Sequence, residues 1–312
     1  MLTVIAISFS LCSFTVREKV KSSGIVKAVD EDGTETYSEA SVSSSSASKW
    51  QLTVSKVNDK NVWSYSQIRI ALNGALIDVD ARMINDTAYV AVRSFIETAT
   101  DMKVTYYSAT RTLSVDGSGL AMSLTDGSNV IYANGRTLFS MTPSVIMSNG
   151  RMYAPLRLIA KALGLDFVSD EANGVSLSGK ITPLTHGSVY YDSDAVFWLS
   201  RIISAESRGE PLVGQIAVGN VVLNRVKAQE FPNTIWGVIF DRNYGIQFSP
   251  VANGTIYNEP SPTAITAAKI CLEGHVITSV SLFFLNPTIS TSSWITNTKT
   301  YLFTVGNHDF YR

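Results

Sequence analysis

The chain has 312 residues, 45% hydrophobic and 16% charged, with a formal net charge of -1. That length and apolar share suffice for two packed domains. The near-neutral balance excludes the broad cationic surface that a nucleic-acid partner requires.

Leu2 to Val16 form an apolar run of signal-peptide length, too short to span a bilayer. Residues 1–16 therefore read as a secretory signal. No Lys or Arg precedes the run and no Ala-x-Ala site follows, which fits a truncated or late start. Cys12 lacks the small residue expected before a lipidated cysteine and reads as part of the run. Residues 17–62 are charged and serine-rich, including Ser41 to Ser48, and predict a flexible lead. Within it Trp50 to Val57 alternate as a weak strand, and Trp50 and Trp63 read as anchors rather than sugar platforms.

From 68 to 179 the sequence is duplicated. Asn73-Gly74 precedes Ile77, Val79 and Ala88 to Arg93, then a helix over Ser94 to Thr100 and strands at Val104–Tyr106 and Thr112–Val115. Asn134-Gly135 precedes Arg151 to Arg157, then a helix over Leu158 to Leu163 closed by Gly164, and strands at Leu165–Phe167 and Gly174–Ser178. Each copy reads ββαββ. These residues resemble the N-terminal-like domain of copper amine oxidases. The name promises no copper chemistry, because no histidine precedes His186 and a trihistidine site cannot be built. Tyr89, Arg93, Tyr153 and Arg157 are expected to hold helix against sheet, with wall binding as the functional alternative. Residues 180–191, with Pro183 and Gly187, read as a linker whose two sides keep separate cores.

Residues 192–312 carry the chemistry. Asp192, Ser193 and Asp194 offer an N-cap, and Val196, Phe197, Leu199, Ile202 and Ile203 recur at helical spacing. Gly209 and Pro211 stop that helix near Ser207, which leaves Glu206 in its last apolar turn. A carboxyl desolvated there has a raised pKa, as a general acid near neutral pH requires. A second helix follows from Leu212 to about Val226, with Gln215, Asn220, Asn224 and Arg225 as its polar members. By itself one glutamate at a helix end is most often a solvated or capping carboxylate.

Ala205-Glu206-Ser207-Arg208-Gly209-Glu210-Pro211, with Gly214-Gln215 through Asn224-Arg225-Val226, resembles the signature of the cell wall hydrolase family typified by the spore cortex-lytic enzymes. Further pieces follow in the family's order: Phe231 to Thr234, Gly237 to Phe240, Gln247 to Val251, Asn253 to Ile256, Phe284 to Pro287 and Gly306 to Tyr311. The resemblance implies cleavage of peptidoglycan between N-acetylmuramic acid and N-acetylglucosamine by a lytic transglycosylase, with Glu206 as sole acid and base. It implies a small, mostly helical, lysozyme-like α+β fold, preceded here by the β-rich duplicated half. Two alternatives stay open. One is a hydrolytic muramidase completed by a water or by Glu210, which otherwise fixes the turn in company with Arg208. The other is a non-catalytic wall-binding protein.

Sugars need aromatic faces and amide groups, and the candidates for those tasks are Gln215, Asn224, Tyr244, Gln247, Phe248, Ser249, Tyr257, Asn286 and Trp294. Phe248 as core and Gln247 as a turn cap are the competing assignments. Asp241 to Gly254 reads as a loop over the cleft, Pro260 to His275 as a helix with Cys271 in its core, and Ser281 to Leu285 as a strand. His308 is expected to be structural. His186, His275 and His308 are scattered and only Cys12 and Cys271 occur, so no metal or other cofactor is expected. The expected partner is a peptidoglycan glycan strand, outside the cell membrane, in vegetative wall or spore cortex.

Overall fold

A computed structural model of the chain describes residues 66–141, 145–170, 174–243, 245–290 and 293–312, together with the backbone of a hairpin pairing Ile25–Val29 with Glu35–Glu39. That hairpin is a regular element where the composition predicts none. The signal-like run, the Trp50 to Val57 segment and Trp63 lie outside the described residues. Helices and sheets coexist, with a β-rich first half and a largely helical second half.

In the β-rich half each copy holds one more hairpin than the ββαββ reading. The turns expected at Asn73-Gly74 and Asn134-Gly135 are present, with both residues of each at positive φ. Asn85-Asp86 and Asn149-Gly150 make two more, joining Ala81–Ile84 to Thr87–Ala91 and Ile146–Ser148 to Arg151–Pro155. Left-handed Asn, Asp and Gly match the twist of a two-residue hairpin. Helix α1 (Val92–Ala99) follows the first of these hairpins and α2 (Leu156–Leu163) the second, each starting earlier than the apolar spacing suggests.

The copies interleave. Arg151–Pro155 pairs antiparallel with Thr87–Ala91, so one five-stranded sheet takes strands from both. A second sheet joins the last hairpin of copy one, Lys103–Tyr107 with Thr112–Gly117, to the first of copy two, Val130–Ala133 with Arg136–Phe139, through Leu120–Thr125. A third joins Asp166–Asp170 and Gly174–Ser178 to Ile70–Leu72 and Ala75–Ile77. The enclosed core includes Phe95, Ile96, Met122, Leu124, Leu156 and Ile159.

The segment expected as a linker contains a one-turn helix, α3 (Gly187–Tyr190). Helix α4 (Ser193–Ser207) follows, and Asp192 caps it by accepting from the Ala195 N–H at 2.8 Å. Helix α5 (Leu212–Lys227) is buried on nearly every side from Gly214 to Val222, the pattern of a central helix. Then come α6 (Ile235–Ile239), α7 (Ser249–Asn253), α8 (Pro262–Leu272), capped by Ser261, and α9 (Trp294–Thr298). The stretch read as a loop from 241 to 254 thus ends in a helix. A three-stranded sheet closes the half, with His308–Tyr311 between Phe283–Leu285 and Tyr301–Val305.

Helices α4, α5 and α8 meet at Gly219. A Cβ there would stand 2.7 Å from Cys271 Sγ and 2.8 Å from Ile203 Cδ1. Gly219→Ala is therefore expected to destabilise by about 1–3 kcal/mol through overpacking, and thermal melting of the two proteins checks it.

The two halves do not keep separate cores. Val130 and Phe139, from the β-rich half, lie in the apolar cluster of α4, α5 and α8. Around them, Glu273 at the end of α8 receives Arg136 at 2.7 and 2.6 Å, Lys161 at 3.0 Å and the Tyr191 hydroxyl at 2.8 Å. The Arg136 and Glu273 side chains are only 8% and 4% exposed. Burial pushes the Glu273 carboxyl upward, but its three donors outweigh that and hold it below the usual range. The 180–191 segment is consequently bound into an interface: Gly187 donates to Asn134 O at 2.7 Å, and Asn134 Nδ2 donates to Leu184 O.

Candidate active site

Glu206 sits in the last turn of α4, where the Gly-Glu-Pro turn ends the helix. The residue is half-buried, and its carboxyl accepts no hydrogen bond from the described residues. Desolvation raises its pKa from 4.5 to about 7, with Arg225 pulling the other way. An unpaired carboxyl in such a place keeps its proton near neutrality, as an acid catalyst must.

Arg225, in the last turn of α5, is buried; its Nε donates to Leu282 O at 2.7 Å, and its Nη1 has no hydrogen-bond partner among the described residues. Phe231, Phe248 and Phe283 surround its guanidinium at 5.0–5.2 Å. Burial lowers its pKa to about 10, opposed by Asp241 and Glu206. The cation thus stands beside two acids without forming an ion pair to either among the described residues. Neither Arg225 nor Asp241 is among the residues that the sequence marks for the site. An arginine among valines in an apolar helix was the available signal.

Glu210 fixes the turn, as expected, but through a different partner. Its carboxylate accepts from Asn307 N at 2.9 Å and Asn307 Nδ2 at 3.0 Å, while His308 Nδ1 stands 3.6 Å away. Burial pushes its pKa up, but the two Asn307 donors bring it below the ordinary value. Arg208 instead donates to Glu259 O at 2.8 Å. Gly306 adopts φ +60°, and a side chain there would collide with Glu210 Oε2. His308 is buried, meets Phe284 edge-on at 5.4 Å and so takes a structural position.

The cleft candidates divide. Gln215 is 1% exposed and donates to Glu210 O; it supports the turn from beneath. Asn224 donates to Thr278 O and Ser281 O, both at 3.0 Å, and ties α5 to the loop before the sheet. Phe248 is core, and Asn286 spends its side-chain oxygen on Thr288. Gln215, Asn224 and Asn286 thus have internal hydrogen-bond partners, as polar side chains in a packed half usually do, and Phe248 takes the core position that competes with sugar binding; Gln215 Oε1 has no partner among the described residues. Gln247 is half-buried and donates to Gly245 O, the turn contact that competed with sugar binding. Ser249, Tyr257 and Trp294 are exposed. Tyr244 lies outside the described residues. No group of three or more potential metal ligands occurs among the described residues.

The family model described as Cell Wall Hydrolase matches residues 209–311, and that described as Copper amine oxidase N-terminal domain matches residues 71–177. The chain thus carries a match to a cell wall hydrolase domain in its second half and to a copper amine oxidase N-terminal domain in its duplicated half. Glu206 lies just ahead of the matched span. Among individual relatives, the spore cortex-lytic enzyme of Bacillus cereus is 39% identical over 120 residues, 38% of this chain and 45% of that protein. That of Bacillus subtilis is 34% identical over 120 residues, 38% of each. The chain thus spans less than half the length of these relatives. The solved catalytic domain of a germination-specific lytic transglycosylase from Bacillus anthracis is 36% identical, with 41% of this chain covering 100% of it at a TM-score of 0.36.

Proposed function

We propose that this protein cleaves the glycan strand of peptidoglycan between N-acetylmuramic acid and N-acetylglucosamine as a lytic transglycosylase, with Glu206 as its only acid and base. The observation that carries the reading is the desolvated, unpaired carboxyl of Glu206 with a pKa near 7. The relatives are named as spore cortex-lytic enzymes and a lytic transglycosylase, which supports a wall or cortex substrate. Such a substrate lies outside the membrane, so the protein acts there. No helix among the described residues is long and apolar enough to cross a membrane.

In this scheme neutral Glu206 gives its proton to the glycosidic oxygen as the bond to C1 of the muramoyl residue breaks. The resulting carboxylate, eased by the Arg225 charge, takes the proton of the muramoyl C6 hydroxyl. That oxygen closes on C1 and leaves a 1,6-anhydro end. Glu210 is a poor second carboxylate, because Asn307 occupies both its oxygens. Asp241, a buried carboxylate whose charge acts on Arg225 as that of Glu206 does, is the other candidate should water be the nucleophile.

Mass spectrometry of muropeptides released from purified wall and cortex decides the reaction. Anhydromuramic ends that vanish in Glu206→Gln are expected. Reducing ends would instead make the protein a hydrolase and direct attention to Asp241, and binding without release would make it a wall-binding protein.

A further inference from the structure

A cluster of five aromatic rings, partly open to solvent, gathers around Phe197 and Trp198 near the start of α4, the helix that carries Glu206. Trp236 stacks on Phe240 with centroids 5.1 Å apart and planes inclined by 29°. Trp198 meets Phe240 edge-on at 5.1 Å, Phe197 at 4.9 Å and Tyr257 at 6.4 Å. Three of these rings remain largely open to solvent: Tyr257 is 65% exposed, Trp236 55% and Phe197 43%. Five aromatics drawn from α4, from α6 and its C-cap Phe240, and from the 3₁₀ turn Thr255–Tyr257 amount to a contiguous apolar surface of the kind that marks a binding site.

Chemistry and position say what it binds. The cation over one of the rings, Arg201 at 3.7 Å from Phe197, already donates to Glu259 at 3.2 Å. The rings therefore offer apolar faces and no free charge to an incoming ligand, which suits the C–H face of an uncharged sugar whose hydroxyls stay in water. Trp198 and Glu206 are eight residues apart on α4, about 12 Å along the axis at 1.5 Å per residue. Phe240 is followed directly by Asp241, whose charge acts on Arg225 beside Glu206. The rings nearest the start of α4 therefore lie about two helical turns from Glu206, beyond the reach of the sugar at the cleaved bond.

We propose that Trp236, Phe240, Trp198, Phe197 and Tyr257 form a stacking surface for the N-acetylated glycan strand, away from the bond being cut. The proposal rests on the glycan-cleaving reading of Glu206, and it adds a distal hold that takes the sugar backbone rather than the peptide stems.

The test uses the full chain carrying Glu206→Gln, so that nothing is cut, titrated with peptide-free N-acetylglucosamine hexamer and with peptide-free glycan strands while tryptophan fluorescence is followed. Trp236→Leu and Tyr257→Ala, each at an exposed ring, are expected to weaken binding on the order of tenfold, and Trp236→Phe to restore most of it. Unchanged affinity in the Trp236→Leu/Tyr257→Ala double variant overturns the proposal, as does failure of the parent to bind either sugar. Sedimentation is run in parallel, and a dimer that Trp236→Leu dissolves would reassign the surface to a second copy of the chain. Retained cleavage by Glu206→Gln would remove the acid assignment alone, because the titration judges the aromatic surface separately.

Discussion

Glu206→Gln is expected to reduce glycan cleavage by about 10²–10⁴-fold, the usual share of one general acid-base group. Glutamine keeps the shape and removes the transferable proton, so the loss should fall on kcat more than on KM. In the parent protein the active form holds its proton, and cleavage should decline as pH rises through about 7. The same shift has a thermodynamic counterpart. Glu206 has a folded pKa raised above its unfolded value, so the folded state binds the extra proton between pH 4.5 and 7. Stability from this group is complete below pH 4.5 and is lost as pH rises through 7. The glutamine variant should be the more stable protein at pH 8, by on the order of 1–3 kcal/mol after discounting for partial exposure. Its advantage should shrink toward pH 4.5. Denaturant unfolding of both proteins across that range checks the claim, and equal stabilities at pH 8 would remove the desolvation on which the catalytic assignment depends.

Arg136→Met should have the largest effect on folding. It strips the forked donor from a carboxylate buried between the two halves; breaking such a pair costs about 3–5 kcal/mol, and the Lys161 and Tyr191 donors that stay on Glu273 should keep the loss near the lower figure. The loss should appear in the melting of both halves, since Arg136 lies on a strand of one and Glu273 ends a helix of the other. Converting both partners, as Arg136→Met with Glu273→Leu, should recover much of it. Glu273 titrates below the usual range when folded, so its contribution is present above the unfolded pKa of 4.5 and disappears as pH falls below it. Acid should therefore loosen the joint between the halves, visible as a second unfolding transition. A single unshifted transition in Arg136→Met would show that the ion pair contributes nothing.

What could be read from the sequence was what depends on near neighbours. Asp192 and the apolar spacing after it set α4; Gly209 and Pro211 ended it; Asn73-Gly74 and Asn134-Gly135 named two hairpins; the neighbourhood of Glu206 foretold its raised pKa. The Asn85-Asp86 and Asn149-Gly150 turns carry the same chemistry but are not legible as hairpins, because the short strands before them lack a clear alternation. What could not be read was what depends on distance along the chain. Glu273 finds Arg136 across 137 residues, Glu210 finds Asn307 across 97, and Asn224 reaches the carbonyls of Thr278 and Ser281. Their amides, and for Asn286 also its family position, make Gln215, Asn224 and Asn286 candidates for the sugar, and the three-dimensional packing gives each of them an internal hydrogen-bond partner as well. The aromatic cluster is of the same kind, because Trp198 and Trp236 become neighbours only through Phe240.

The interleaving of the two repeats has a consequence for ancestry. Strand Arg151–Pro155 completes the sheet of Thr87–Ala91, and the closing hairpin of each repeat lies in one sheet with the opening hairpin of the other. One repeat alone would leave several open edges, each a row of unsatisfied amides and carbonyls. A chain holding a single repeat could bury them only by exchanging hairpins with an identical chain about a twofold axis. The β-rich half is built as such an obligate dimer would be, with its two subunits fused end to end.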